Sequence, residues 1–215
     1  MGFFDAFPAP DPPPPEPYRR SRSWVGPGRN VRPTTLTVDG MLTRRPEFAV
    51  FAQGFRVYPS GFEFDIVVLR QPLRPEEERD IRTENPFGRR YRPGRSEAEA
   101  GQDLRLGVQF ADGRSAATGP AFAPLRNQGP RPEQPAVNMR GGHGGTGRWQ
   151  QTLWVWGLPD EGDVSVVCAW PAEDVPESRL ELDGDALREA AGRAVVLWEE
   201  PEDDDADEEN SDVAS

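Results

Sequence analysis

Few residues in this chain are equipped for chemistry, and their spacing limits what they could do. It holds one histidine, His143, and one cysteine, Cys168. A hydrolase would need His143 as general base beside an orienting partner and a nucleophile, and Cys168 is the only available thiol. Cys168 shares strand parity with Val164 and Val166, so it reads as a small buried hydrophobe. One histidine and one cysteine cannot fill a tetrahedral zinc site. Glu63 and Asp65 fall on one face of a strand and could serve as the acid pair of a glycoside hydrolase. The plainer reading of that pair is the solvated face of a half-buried sheet. No catalytic residue, metal ligand or cofactor is assigned.

Two further features could bind rather than react. Gly141-Gly142-His143-Gly144-Gly145 invites comparison with a phosphate-cradling loop. It precedes a strand rather than a helix and lacks the Lys-Ser/Thr ending, so it reads as a flexible connection. In the strand that follows, Trp149, Leu153 and Val155 share one parity, and Arg148, Gln150, Thr152, Trp154 and Trp156 share the other. Large apolar groups on both faces mean one of two things. Either the Trp154/Trp156 face is covered by the amphipathic helix expected near 186–198, the favoured reading, or it is an open aromatic platform. An open platform beside His143 and Arg148 would suit a carbohydrate or peptide, because flat amphipathic rings bind such partners well. The candidate ligand-binding residues are therefore His143, Arg148, Trp154 and Trp156.

The composition restricts the field. Of 215 residues, 22 are Gly and 24 Pro, so much of the chain must be loop. All 25 basic residues are Arg, which excludes Schiff-base lysine enzymes and the phosphate-loop lysine. Net charge is −12, and ten carboxylates without a base lie in residues 199–215. An acidic chain makes general affinity for nucleic acid or an anionic membrane surface improbable. No window approaches 18 uncharged apolar residues, and Met1–Asp5 does not resemble a secretory signal, so a cytoplasmic location is expected.

The elements that must position these residues follow from periodicity. Residues 1–33 form a Pro/Arg-rich segment expected to be disordered, with seven prolines in the first 17 residues and Phe3, Phe4 and Phe7 as possible docking points. Thr34–Val38 is β-branched and ends at Asp39-Gly40, a hairpin-type dipeptide. Phe48, Val50 and Ala52 alternate, and the phase slips by one before Phe55 and Val57, which predicts a β-bulge at Gly54. Tyr58-Pro59-Ser60-Gly61 is a turn, and Phe62, Phe64, Ile66 and Val68 alternate beyond it, completing a hairpin.

Residues 70–102, rich in Arg and acids, read as a solvated loop or insertion, and 119–147 as a second long loop. Between them Leu104, Leu106, Val108 and Phe110 alternate up to Asp112-Gly113. Strands are expected at 149–156 and 164–170. A helix capped by Asp183 or Asp185 should carry Leu187, Ala190, Ala191, Ala194 and Trp198 on one face, although Val195–Leu197 could instead be a final strand. About 100 patterned residues in short strands suit a mostly β protein, an antiparallel β-sandwich (immunoglobulin-like or similar) spanning 34–198 with one C-terminal helix. An acidic, unstructured tail, 199–215, should follow. The basic run 18–32 could attract it loosely, an attraction that salt would weaken.

Leu106–Arg114, the glycine cluster, Leu153-Trp-Val-Trp156 with Leu158-Pro159, Cys168–Pro171, and Leu182–Gly184 through Leu197-Trp198 resemble a family of small hypothetical proteins from high-GC actinobacteria. The resemblance covers roughly residues 35–198. It implies a bacterial cytoplasmic origin and brings no activity, cofactor or catalytic residue. Taken together, these features point to a non-enzymatic binding or scaffold module with protein partners. A small-ligand domain using the aromatic face is the alternative, and a hydrolase built on His143 is a third.

Overall fold

Two alternating runs around Pro59-Ser60 build the centre of the molecule. They form β4 (Phe48–Tyr58) and β5 (Gly61–Arg70), paired from Phe48↔Arg70 to Tyr58↔Gly61. The register between them slips by one residue between Gln53 and Arg56, and Gly54 takes a left-handed φ of 64°, so the bulge predicted from the phase shift is present. It keeps Phe48, Val50 and Ala52 on the same buried face as Phe55 and Val57.

The protein is known from a computed structural model, and residues 22–71, 85–87, 102–118, 131–145 and 147–199 are described. All belong to one unit, Ser21–Pro201. The expectations for residues 1–21, for the tail beyond 199, for most of 70–102 and for 119–130 lie outside the described residues.

The remaining elements are β1 (Val31–Arg32), β2 (Thr34–Leu36), β3 (Gly40–Arg44), β6 (Arg105–Phe110), β7 (Ser115–Ala117), β8 (Ala136–Gly145), β9 (Arg148–Trp156), β10 (Val164–Trp170), β11 (Val175–Leu182), the helix α1 (Gly184–Arg193) and β12 (Val195–Val196). One sheet has the order β2-β4-β5-β9-β8, with β3 also on β4, and a second has the order β11-β10-β6-β7. Every pairing between them is antiparallel. Among the described residues the protein is mostly β, with one α-helix, near the C-terminal end, and a short 3-10 turn at Pro171–Glu173. Phe62, Phe64 and Leu153 of the larger sheet join Val108, Val166 and Cys168 of the smaller in one apolar core, which is the arrangement of a sandwich. The helix starts at Asp183, whose side chain accepts a hydrogen bond from the Ala186 N–H at 3.0 Å. Its buried Leu187, Ala190 and Ala191 pack into this same core, beside β2 and β4.

Several expectations are corrected. Asp39-Gly40 makes no hairpin: β2 and β3 lie end to end along one edge of β4, Thr34 facing Val57 and Arg44 facing Ala49. The helix stops at Arg193, and Val195–Val196 is the strand that the sequence left as an alternative, so Trp198 is not on a helical stripe. Residues 136–145, assigned to a loop, form β8. Close approach explains why glycines suit it, since a Cβ at Gly144 would sit 2.5 Å from the Trp149 ring and 2.8 Å from the Arg148 carbonyl. Residues 175–182 form a strand beside β10. The 70–102 stretch is not wholly solvated, because Phe87 is buried in the core, and Pro86 accepts a bond from the Leu104 N–H at 2.9 Å. Finally, residues 22–33 are not a free segment. They lie against the larger sheet, and β1 pairs with β12.

Candidate functional site

The larger sheet has a second face, pointing away from the sandwich core. Along β9 it presents Trp156, Trp154, Thr152, Gln150 and Arg148 in turn, facing Gly61, Glu63, Asp65, Val67 and Leu69 of β5. On the other side of β9 the register places Ala136, Asn138 and His143 opposite Trp156, Trp154 and Gln150. All four predicted ligand residues therefore share one face, which parity required of Arg148, Trp154 and Trp156 and which the β8 pairing adds for His143. They do not form one pocket. His143 stands opposite Gln150, four residues from Trp154, a separation of roughly 13 Å along an extended strand.

Between the two ends lies a buried polar cluster. Glu63 Oε1 accepts from Arg56 Nε at 2.7 Å and from the Tyr58 hydroxyl at 2.8 Å. Asp65 accepts from Thr152 Oγ1 at 2.5 Å through one oxygen and from Gln150 Nε2 at 2.9 Å through the other. The Arg56 guanidinium also stands 3.9 Å from Asp65. Both carboxylates are buried, which corrects the expectation of a solvated face. Each accepts two hydrogen bonds, and Arg56 supplies the positive charge between them. Burial, and then the bond to Glu63, push the Tyr58 hydroxyl up to about 12.

At the other end the aromatic face is closed. Trp154 is 0% exposed and Trp156 2%. The cover is not the helix, which packs on the core side. It is the chain around residues 22–31. Trp24 meets Trp156 edge-on with ring centroids 6.1 Å apart, while Tyr58 meets Trp154 edge-on at 5.6 Å. The Trp154 indole donates to the Ser23 carbonyl at 2.9 Å, and Asn138 Nδ2 to the Val25 carbonyl at 2.8 Å. Arg131 lies over the Trp156 ring, 4.8 Å from its centroid. Trp24, Asn138 and Arg131 were not singled out in the sequence. Asn138 lies in a short run, Val137–Arg140, whose apolar-polar alternation was there to be read.

The remaining candidates stay apart. His143 and Arg148 are exposed, and Arg148 Nη2 donates to Gln150 Oε1 at 3.4 Å. Cys168 is buried in the sandwich core on β10, in the other sheet, and burial pushes its thiol up to about 11. The histidine–thiol pairing that a cysteine hydrolase needs is not formed. Among the described residues no group of three or more His, Cys, Asp or Glu could hold a metal ion, and no helix is long and apolar enough to cross a membrane. A surface cleft of about 640 Å³ opens at the Phe48 end of β4, with Arg44, Arg45 and Arg70 in its lining. Arg70 is already engaged, stacked over Phe48 and Trp170 and ion-paired with Glu173.

One more surface stands out. Val195, Val196, Leu197 and Trp198 are consecutive, apolar and exposed, at 38, 56, 52 and 58%. Comparison with protein-family models, curated proteins and solved structures finds no match to this chain.

Proposed function

We propose that this chain is a non-enzymatic binding module that acts through protein contacts, with β12 as its contact edge and a second copy of the chain as the first partner. The observation that carries the reading is the exposed Val195–Trp198 run. Four consecutive exposed apolar residues, the first two of them an edge strand, invite pairing with another strand unless something blocks it.

The hydrogen-bond phase of that edge fits a two-fold partner. The Leu197 N–H donates to the Asn30 carbonyl at 2.8 Å, so the polar backbone groups of Leu197 point toward β1. Backbone groups alternate in direction along a strand, which turns the N–H and C=O of Val196 outward. Two copies meeting antiparallel at Val196 exchange two hydrogen bonds and set Val195 beside Leu197 of the other copy. The contact is confined to this short stretch, because Arg193 ends the helix and the Trp198 carbonyl accepts from Asn30 Nδ2 of the same chain. A contact this short gives a weak, concentration-dependent dimer.

Sedimentation of the full chain over rising concentration tests the reading. The weight-average mass should climb for the natural sequence and stay at the monomer for Val196→Pro. That substitution removes the outward N–H and leaves the Leu197–Asn30 bond in place. A mass that stays monomeric into the millimolar range, or a Val196→Pro chain that associates equally well, overturns it. The small-ligand reading has less support, because the Trp154/Trp156 face is covered by the chain itself.

A further inference from the structure

Resting on the β12 contact proposed above, we infer that Asn30 is the positioning residue of that contact. It fastens the chain just past Val196 by two hydrogen bonds, and so presents the outward groups of Val196 to the second copy.

β12 has little else to hold it in place. With β1 it forms a two-stranded sheet of its own, joined through the pairs Val31↔Val196 and Arg32↔Val195. A two-stranded ribbon by itself is marginal in water, so its anchors decide whether it forms. Its β1 side is anchored because Val31 packs against the cluster of Tyr58, Trp154 and Trp156. The start of β12 is anchored by the helix end, where the Ala194 N–H donates to the Ala191 carbonyl at 3.2 Å. Past Val196 the ladder stops, and Asn30 supplies the third anchor.

The Asn30 carbonyl accepts from the Leu197 N–H at 2.8 Å, and its Nδ2 donates to the Trp198 carbonyl at 2.7 Å. One residue thus grips the peptide groups on both sides of the Leu197–Trp198 bond. Asn30 can do this because its own backbone is fixed. It is 9% exposed and lies in a turn that the Val31 N–H closes on the Gly28 carbonyl at 3.3 Å. The grip also sets where pairing stops. In a continuing strand the Trp198 carbonyl would face away from β1, as the groups of Val196 do. Here the chain bends at Trp198, and that carbonyl is turned back to Asn30. With the Ala194 N–H engaged on one flank and the Trp198 carbonyl on the other, Val196 is left to offer donor and acceptor together. A partner strand is thereby held to the register centred on Val196.

Sedimentation of the full chain, natural and Asn30→Leu, tests this, since leucine matches asparagine in size and shape but donates no hydrogen bond. Only copies with the edge formed can pair, so the apparent affinity falls with that fraction. Losing one hydrogen bond should reduce the fraction about fivefold in each copy, and hence weaken association about 25-fold. A merely structural residue would lower the urea midpoint and leave the dissociation constant of the folded chain unchanged. Amide exchange in the natural chain gives a second readout that needs no variant. In dilute solution the Leu197 amide should be protected while the Val196 amide is open, and raising the concentration should protect Val196 as well. Equal association by the natural chain and Asn30→Leu, or a Leu197 amide that exchanges freely in dilute solution, overturns the role of Asn30 and leaves the β12 contact standing. A natural chain that stays monomeric, with Val196 open at every concentration, overturns both.

Discussion

The two faces of the larger sheet are made from the same strands and differ in almost everything else. The inner face is Val, Ile, Leu and Phe meeting the apolar face of a second sheet, with Phe64 stacked between Phe55 and Phe62 at centroid distances of 4.9 and 6.0 Å. The outer face is two buried tryptophans, a tyrosine and a hydrogen-bonded acid pair, covered at the tryptophan end by a segment that shares no ladder with it. The first is held by non-directional burial over a wide area, the second by a few directed contacts. Stability should therefore reside in the inner face and exchangeability in the outer.

Substitutions ranked by expected effect sharpen that contrast. Phe64→Ala should cost about 3–5 kcal/mol, because a ring in a closed core leaves a cavity that its neighbours only partly fill. Urea denaturation measures it, and a loss under 1 kcal/mol would mean the sandwich interior is loose. Glu63→Ala should cost about 2 kcal/mol by the same assay, since it strips the Arg56 guanidinium and the Tyr58 hydroxyl of a shared acceptor. Glu63→Gln, which keeps an acceptor oxygen, should cost less. Trp24→Ala should cost about 1 kcal/mol and shift tryptophan emission to the red as Trp156 meets water. An unshifted spectrum would mean that other residues close the face.

The smallest effect is seen only in alkali. The Cys168 thiol on the inner face is pushed to about 11 and the Tyr58 hydroxyl on the outer face to about 12, each above its ordinary value of 9.0 or 10.0. Both hold their protons more tightly when folded. Their contribution is complete below those ordinary values and drains away as pH rises from about 9 through 11 and 12. Denaturation midpoints at pH 8 and pH 10.5 measure the loss, and Cys168→Ala should remove the inner-face share. The native thiol should also resist iodoacetamide at pH 8 until the chain is unfolded.

Legibility in the sequence followed the same division. The inner face was readable because alternation with a period of two is local. Phe62, Phe64, Ile66 and Val68 announce their face without reference to any other strand, and even the bulge at Gly54 appears as a slipped phase. The shared face of Arg148, Trp154 and Trp156 followed from parity along one strand, whereas His143 joins it only through the pairing of β8 with β9. What covered that face did not. The helix stripe of Leu187, Ala190 and Ala191 was as apolar as a cover should be, yet it was taken by the core. The glycines of β8 misled for a related reason: they look like loop residues unless the neighbouring Trp149 ring, which leaves no room for a Cβ at Gly144, is known.

By itself, the order of residues determined which side chains of a strand share a face, where the hairpin turns and where the bulge falls. Each of those depends on neighbours a few positions away. Only the tertiary structure decided that the tryptophan end of the outer face is buried, that Phe87 enters the core and that residues 22–26 close over Trp154. The bond from Trp154 to Ser23 spans 131 residues of chain. Several apolar stripes and basic segments were equally fit to cover that face, and the choice among them depends on which sites the rest of the fold had already filled.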